Sequence, residues 1–89
     1  MEKHNPLGYE QITTLSAAQG LSPPGGSKFA LITPEAQAVR WRDDDTDPTA
    51  TVGMRLTVDT YLEYTGNLGR IRFIQEAASA KLNVTYYGE

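Results

Sequence analysis

The chain has 89 residues and no cysteine, so it is one small domain without disulfide bracing, and its single histidine falls short of the about four N/S ligands of a zinc site. Eleven acids against eight bases give a net charge of −3, which argues against the basic face that nucleic acid requires. The longest apolar runs are a few residues, far short of a membrane span, and the opening MEKHNPLGYEQ has no apolar stretch of signal-peptide type. The Asn83-Val84-Thr85 sequon therefore carries no expectation of glycosylation.

Residues 1–7 are polar with one proline and read as a loose arm. Residues 9–15 (YEQITTL) are β-prone with imperfect alternation, a weak strand. Residues 16–28 hold SPPGGS, where two prolines followed by two glycines continue neither helix nor strand. The expected division is thus an N-terminal arm and Pro/Gly linker over 1–28 and a β-domain over 29–89. Two readings of the first segment stay open: an arm reaching a neighbouring subunit, or a surface loop of the same domain.

Residues 29–32 form a short apolar run before Thr33-Pro34. Residues 35–42 alternate, with Val39 and Trp41 on one face and Arg40 and Arg42 on the other, so a strand is expected with Val39 and Trp41 in the core. DDDTDPTA over 43–50 reads as a tight acidic turn, because Asp favours local side-chain to backbone hydrogen bonds and Pro48 lacks a ladder donor. Residues 51–57 return as a strand, Val52, Met54 and Leu56 sharing a face opposite Gly53 and Arg55. Residues 60–65 are β-prone, and Gly66-Asn67-Leu68-Gly69 is a second turn. Residues 70–75 alternate Ile71 and Phe73 against Arg70 and Arg72. EAASA over 76–80 is too short to stand as a helix and reads as a connection. Residues 81–87 are the last strand, with Leu82, Val84 and Tyr86 facing in. Six to seven short strands at this spacing predict an all-β fold, a small antiparallel sandwich or barrel.

Few residues suggest chemistry. Asp43, Asp45 and Asp47 match the first carboxylates of a calcium loop. The sixth position is Pro48 and the twelfth is Met54, so the EF-hand pattern fails; a cation site of another kind stays open, since a cation relieves the repulsion of clustered carboxylates, beside the simpler reading of a solvated turn countered by Arg40 or Arg42. Asp43, Asp45 or Glu63 could be paired on paper for glycoside hydrolysis, but nothing separates their pKa values. His4 has no local partner to make it a base. No catalytic, cofactor or metal residue is assigned. Trp41, Tyr61, Tyr64, Tyr86 and Tyr87 could form a sugar platform, against a simpler reading as core and interface. The expected interface residues are Arg40, Arg42, Asp43, Asp45, Arg55, Arg70 and Arg72, because exposed guanidinium groups pair bidentately with carboxylates.

The segments ALIT…AQAVRWRDDDTDPTATVGMRL and YTGNLGRIRFIQEAASAKLNVTYY resemble a group of small structural proteins of tailed phages and prophages. Their recurring form is close to ALI…Q.VRWRDDG..PTA..GM.L, then a glycine-containing turn, then IRFI…A.A.LNV.YY. The resemblance covers residues 29–87; the first 28 lie outside it. Where the family pattern has Gly after the paired acids, this chain has Asp45, which tolerates a left-handed backbone better than most residues. The resemblance implies a virion component rather than an enzyme, with a capsid decoration (cement) protein as the first expectation. Its partners would be the major capsid protein or other virion proteins, and it would be a homo-oligomer, a trimer by preference. A small unbraced domain also favours association on general grounds. A head–tail or tail accessory protein is the alternative, and a carbohydrate-binding β-module of a fibre is the reading from another class.

Overall fold

The computed structural model describes residues 5–88, which form eight strands and no helix. These are β1 (Asn5–Ile12), β2 (Gln19–Gly20), β3 (Phe29–Glu35), β4 (Val39–Arg42), β5 (Met54–Leu56), β6 (Leu62–Tyr64), β7 (Arg72–Gln75) and β8 (Lys81–Gly88). They make two four-stranded antiparallel sheets, ordered β1-β8-β3-β6 and β2-β7-β4-β5. Only β4 and β5 are joined as consecutive neighbours; every other connection crosses from one sheet to the other. The result is a sandwich of 35 × 26 × 21 Å.

The expected all-β sandwich is what forms, with eight strands where six or seven were expected. The additional one, β2, is two residues long and pairs Gln19 with Phe73 and Gly20 with Arg72, too short to leave an alternation. Alternation does decide which side chains go between the sheets. Along β8, Leu82, Val84 and Tyr86 are buried and the residues between them are half-exposed. Ile32 and Ala30 from β3 and Ile12 from β1 join them; Val39, Leu56 and Phe73 face them from the second sheet. Leu15, Leu68, Ile71 and Ala80, all in connections, plug the ends.

The division expected at residue 28 is not where the fold divides. Within 5–28 the chain belongs to the sandwich: β1 pairs with β8 from Asn5↔Gly88 to Ile12↔Leu82, and Leu15 is fully buried. The first and last strands are therefore neighbours, a long-range pairing that local composition does not signal. Residues 1–4, the start of the expected arm and the site of His4, lie outside the described residues.

Two strand boundaries also differ. Pro34 lies within β3, opposite Leu82, rather than at a break. On its other side β3 meets β6 only over Ala30–Ile32, so Pro34 occupies a stretch that is an edge there, where a missing donor is tolerated. The chain turns instead at Ala36, which takes a positive φ of 74°. The return after the acidic segment begins at Met54 rather than 51, so residues 43–53 form a long loop and not a tight turn. Thr49 and Val52 close its tip by reciprocal backbone hydrogen bonds of 2.8 and 3.2 Å, and Pro48 is buried beneath it. Gly53 seals the loop against β4 at φ 143°, where a Cβ would come within 3.1 Å of the Trp41 carbonyl oxygen.

Candidate functional site

All seven expected interface residues fall on the second sheet or its loops. Arg40 and Arg42 point outward from β4, Arg55 from β5 and Arg72 from β7; Arg70 precedes β7, and Asp43 and Asp45 lie in the β4–β5 loop. Register places Arg40 opposite Arg55 and Arg42 opposite Arg72. Like charges directly opposite each other repel, so each pair needs a neutralising group.

Glu76 supplies it for the first pair. Arg55 donates to it bidentately, Nε to Oε2 at 2.8 Å and Nη2 to Oε1 at 3.1 Å. Arg40 Nε lies 3.1 Å from the same Oε2 without the alignment of a hydrogen bond, while its Nη1 donates to the Gly53 carbonyl at 3.1 Å. The hydrogen bonds from Arg55 hold the Glu76 carboxyl below its ordinary range, and the charges of Arg55 and Arg40 add to this. For the second pair, Arg42 donates bidentately to Asp44 at 3.0 and 2.6 Å. Arg72 lies over Gly20, where a Cβ would be 2.8 Å from its Nη1, and donates to the Gly69 carbonyl at 3.3 Å. Arg70 donates to Asp45. Asp43 accepts a 2.6 Å hydrogen bond from the Tyr64 hydroxyl, which ties the loop to β6 of the other sheet.

The arginines are therefore engaged within the chain rather than presented bare, and the acids point to different partners. Asp45 has φ 67°, the left-handed backbone for which Asp is a tolerable substitute for Gly. Among the described residues, no three His, Asp or Glu side chains converge as a metal site. Glu63 faces outward from β6, opposite Leu31.

What stands open at the rim of the second sheet, on the face opposite Arg40 and Arg55, includes apolar side chains. Met54 is 61 % exposed and Val52 52 % exposed, beside the half-buried Trp41. They line a shallow recess with Arg42, Asp43 and Asp44. Met54 shares its strand face with buried Leu56, as alternation requires, but lies beyond the rim of the core. β5 is the edge of its sheet, with β4 on one side only.

The aromatic residues divide. Tyr64 and Tyr86 are core, and Trp41 meets Tyr64 edge-to-face at 5.9 Å between centroids. The Tyr86 hydroxyl donates to Glu10 at 2.6 Å and accepts from the Ser22 backbone at 3.1 Å, binding β8 to β1 and to the segment after β2. Burial, then the bond to Glu10, pushes its ionisation well above the usual phenol range. Tyr87 stacks on Phe29 at 4.9 Å, and Tyr61 is 62 % exposed, both on the outer face of the first sheet. Tyr9, equally exposed, joins that face; the expected platform missed it because residue 9 belonged to an assumed weak strand outside the domain. Its phase against Ile12 was the available signal.

Comparison of the chain with protein-family models, curated proteins and solved structures found no match.

Proposed function

We propose that this chain is a non-enzymatic structural protein of a phage virion that decorates the capsid. In this reading it docks on the major capsid protein through the exposed edge of its second sheet and acts as a homo-oligomer, a trimer by preference. The observation that carries the docking is the apolar recess at the β5 edge, formed by Met54 of β5, Trp41 of β4 and Val52 of the loop between them, and bordered by Arg42, Asp43 and Asp44. A desolvated apolar centre within a polar rim is the usual anatomy of a binding surface. Because the guanidinium groups of Arg40, Arg55, Arg42 and Arg70 are already held by Glu76, Asp44 and Asp45, they present fixed orientations and contribute register more than raw affinity. The resemblance of residues 29–87 to phage structural proteins supplies the partner class. Binding to the assembled shell but not to its precursor would stabilise the shell by mass action.

Quantitative mass spectrometry of purified particles of the encoding phage tests this. Copies close to stoichiometric with the major capsid protein are expected. A few to a few tens would move the chain to the connector or tail, and absence would overturn the virion reading. Met54→Glu, at an exposed position that leaves the core intact, is expected to lower occupancy at least tenfold.

A further inference from the structure

The outer face of the first sheet is a second surface, remote in the fold from the β5 edge. We propose that it binds a neutral glycan chain, laid across the strands between Tyr9 and Tyr61. This goes beyond the docking proposed for the second sheet and does not depend on it.

Strand register builds the face in rows. One row runs Gln11, Asn83 and Thr33 across β1, β8 and β3, and Tyr61 closes it just before β6. The next holds Tyr9, Thr85, Leu31 and Glu63. Tyr9 does not stand free on its strand. Its hydroxyl donates to Asn83 Oδ1 at 2.6 Å, a diagonal partner on β8, so the ring leans across the sheet while remaining 62 % exposed. Gln11 Nε2 donates to the same oxygen at 3.0 Å, and Asn83 Nδ2 donates to Glu35 Oε1 at 3.1 Å. A ring and two amides are thereby fixed before any ligand arrives, which lowers the entropy lost on binding.

The chemistry of the face fits a sugar. A pyranose presents C–H bonds on its flat side and hydroxyls around its edge. The C–H side suits the electron-rich face of a held tyrosine, and the hydroxyls suit amides, carboxylates and threonine hydroxyls. Beyond Asn83 an open groove of about 440 Å³ runs between Glu35 and Thr33 on one side and Thr60 and Tyr61 on the other. With strands about 4.8 Å apart, the four-strand width is about 14 Å, the length of about three pyranose rings. Among the described residues the charged groups around the groove are Glu35, Asp59 and Glu63 against Lys81, so the field is negative. That disfavours uronic or sialic acids and selects a neutral chain. The groove sets the apolar Pro34, Val58 and Tyr61 ring beside Thr33, Glu35 and Asn83, a mixture that suits both the C–H side and the hydroxyl edge of a sugar, whereas the exposed Met54 and Val52 that suit a protein partner lie at the β5 edge of the other sheet.

The test is a printed array of neutral and acidic bacterial polysaccharides with defined gluco-, galacto- and manno-oligosaccharides, followed by NMR titration of the full chain with the best-bound glycan. Saturable binding of a neutral glycan is expected, with the amide signals of Gln11 and Asn83 shifting. Tyr9→Ala and Tyr61→Ala, both at exposed positions, are each expected to weaken binding at least tenfold, and Tyr9→Phe severalfold because the ring is unpinned. Met54→Ala should leave binding unchanged. No bound glycan on the array, shifts confined to the second sheet, or preference for acidic polysaccharides would each overturn the proposal. So would loss of particle occupancy in Tyr9→Ala without glycan binding, which would give this face to a protein contact.

Discussion

Glu76 separates two arginines that the register sets face to face, and its removal should be felt in stability before anything else. Glu76→Gln keeps the shape and leaves Arg40 and Arg55 unneutralised across β4 and β5. The expected effect is a thermal midpoint lower by about 2–4 °C at low salt, shrinking as salt screens the pair, measured by calorimetry at two ionic strengths. The sign with pH follows from the carboxyl being held below its ordinary value of 4.5. This stabilisation is present above that pH and is lost as pH falls through the depressed value. At Asp45 the backbone sets the rule. With φ at 67°, Asp45→Gly should be tolerated in thermal unfolding and Asp45→Val should cost about 1–2 kcal/mol, since a β-branched residue resists that conformation. Equal stability of the two variants would show that the loop can relax.

At the scale of the element, β1 is the strand whose role changed most between sequence and structure. Seven residue pairs join it to β8, and it is followed by Leu15, which has no exposure. Deleting residues 1–16 would expose the edge of β8 and open the core, so the truncated chain is expected not to fold, and its absence from particles would say nothing about an arm. Leu15→Ala isolates the packing part of this effect: about 2–5 kcal/mol of destabilisation in denaturant unfolding, by cavity formation. The alternation of β8 was plain in the sequence because one face is fully buried and the other is not. β1 was faint because Glu10 occupies an inward position, where its carboxylate takes the Tyr86 hydroxyl instead of apolar contacts. A polar residue at a core phase erases the pattern, and only the partner on the far strand explains it.

For the whole molecule, two buried tyrosines couple the fold to alkaline pH. Burial, then the hydrogen bond to Asp43, raises Tyr64 from 10.0 to about 12, and Tyr86 is raised by burial and by Glu10. Both must be neutral in the native sandwich, so their contribution is complete below pH 10; the Tyr64 part is lost as pH rises from 10 through about 12, and the Tyr86 part persists to higher pH. The midpoint of urea unfolding should fall steeply over that window. Tyr64→Phe should make the fall shallower while lowering stability at pH 7 by about 1.5–3 kcal/mol, the worth of a lost hydrogen bond to a carboxylate. An unchanged slope would place the alkaline sensitivity elsewhere. The same two hydroxyls tie the sheets and loops together, Tyr64 from β6 to the β4–β5 loop and Tyr86 from β8 to β1 and Ser22.

The sequence by itself determined the class of fold and the facing of side chains. Period-two alternation put Val39, Phe73, Leu82, Val84 and Tyr86 inside and the arginines outside, and the Gly-rich segment before Arg70 turned as expected. It did not determine partners. Alternation says which face a residue occupies, not which strand lies beside it. The entropy of closing a loop grows only slowly with length, so β1 can pair with β8 across nearly the whole chain almost as readily as with a near neighbour. Tertiary structure alone decided that pairing. It decided that Glu76 would sit between Arg40 and Arg55, that Met54 would fall outside the core despite sharing a face with Leu56, and that Tyr9 would be held on the same surface as Tyr61. Each depends on which strands are adjacent, and adjacency is settled by the packing of both sheets together rather than by any one segment.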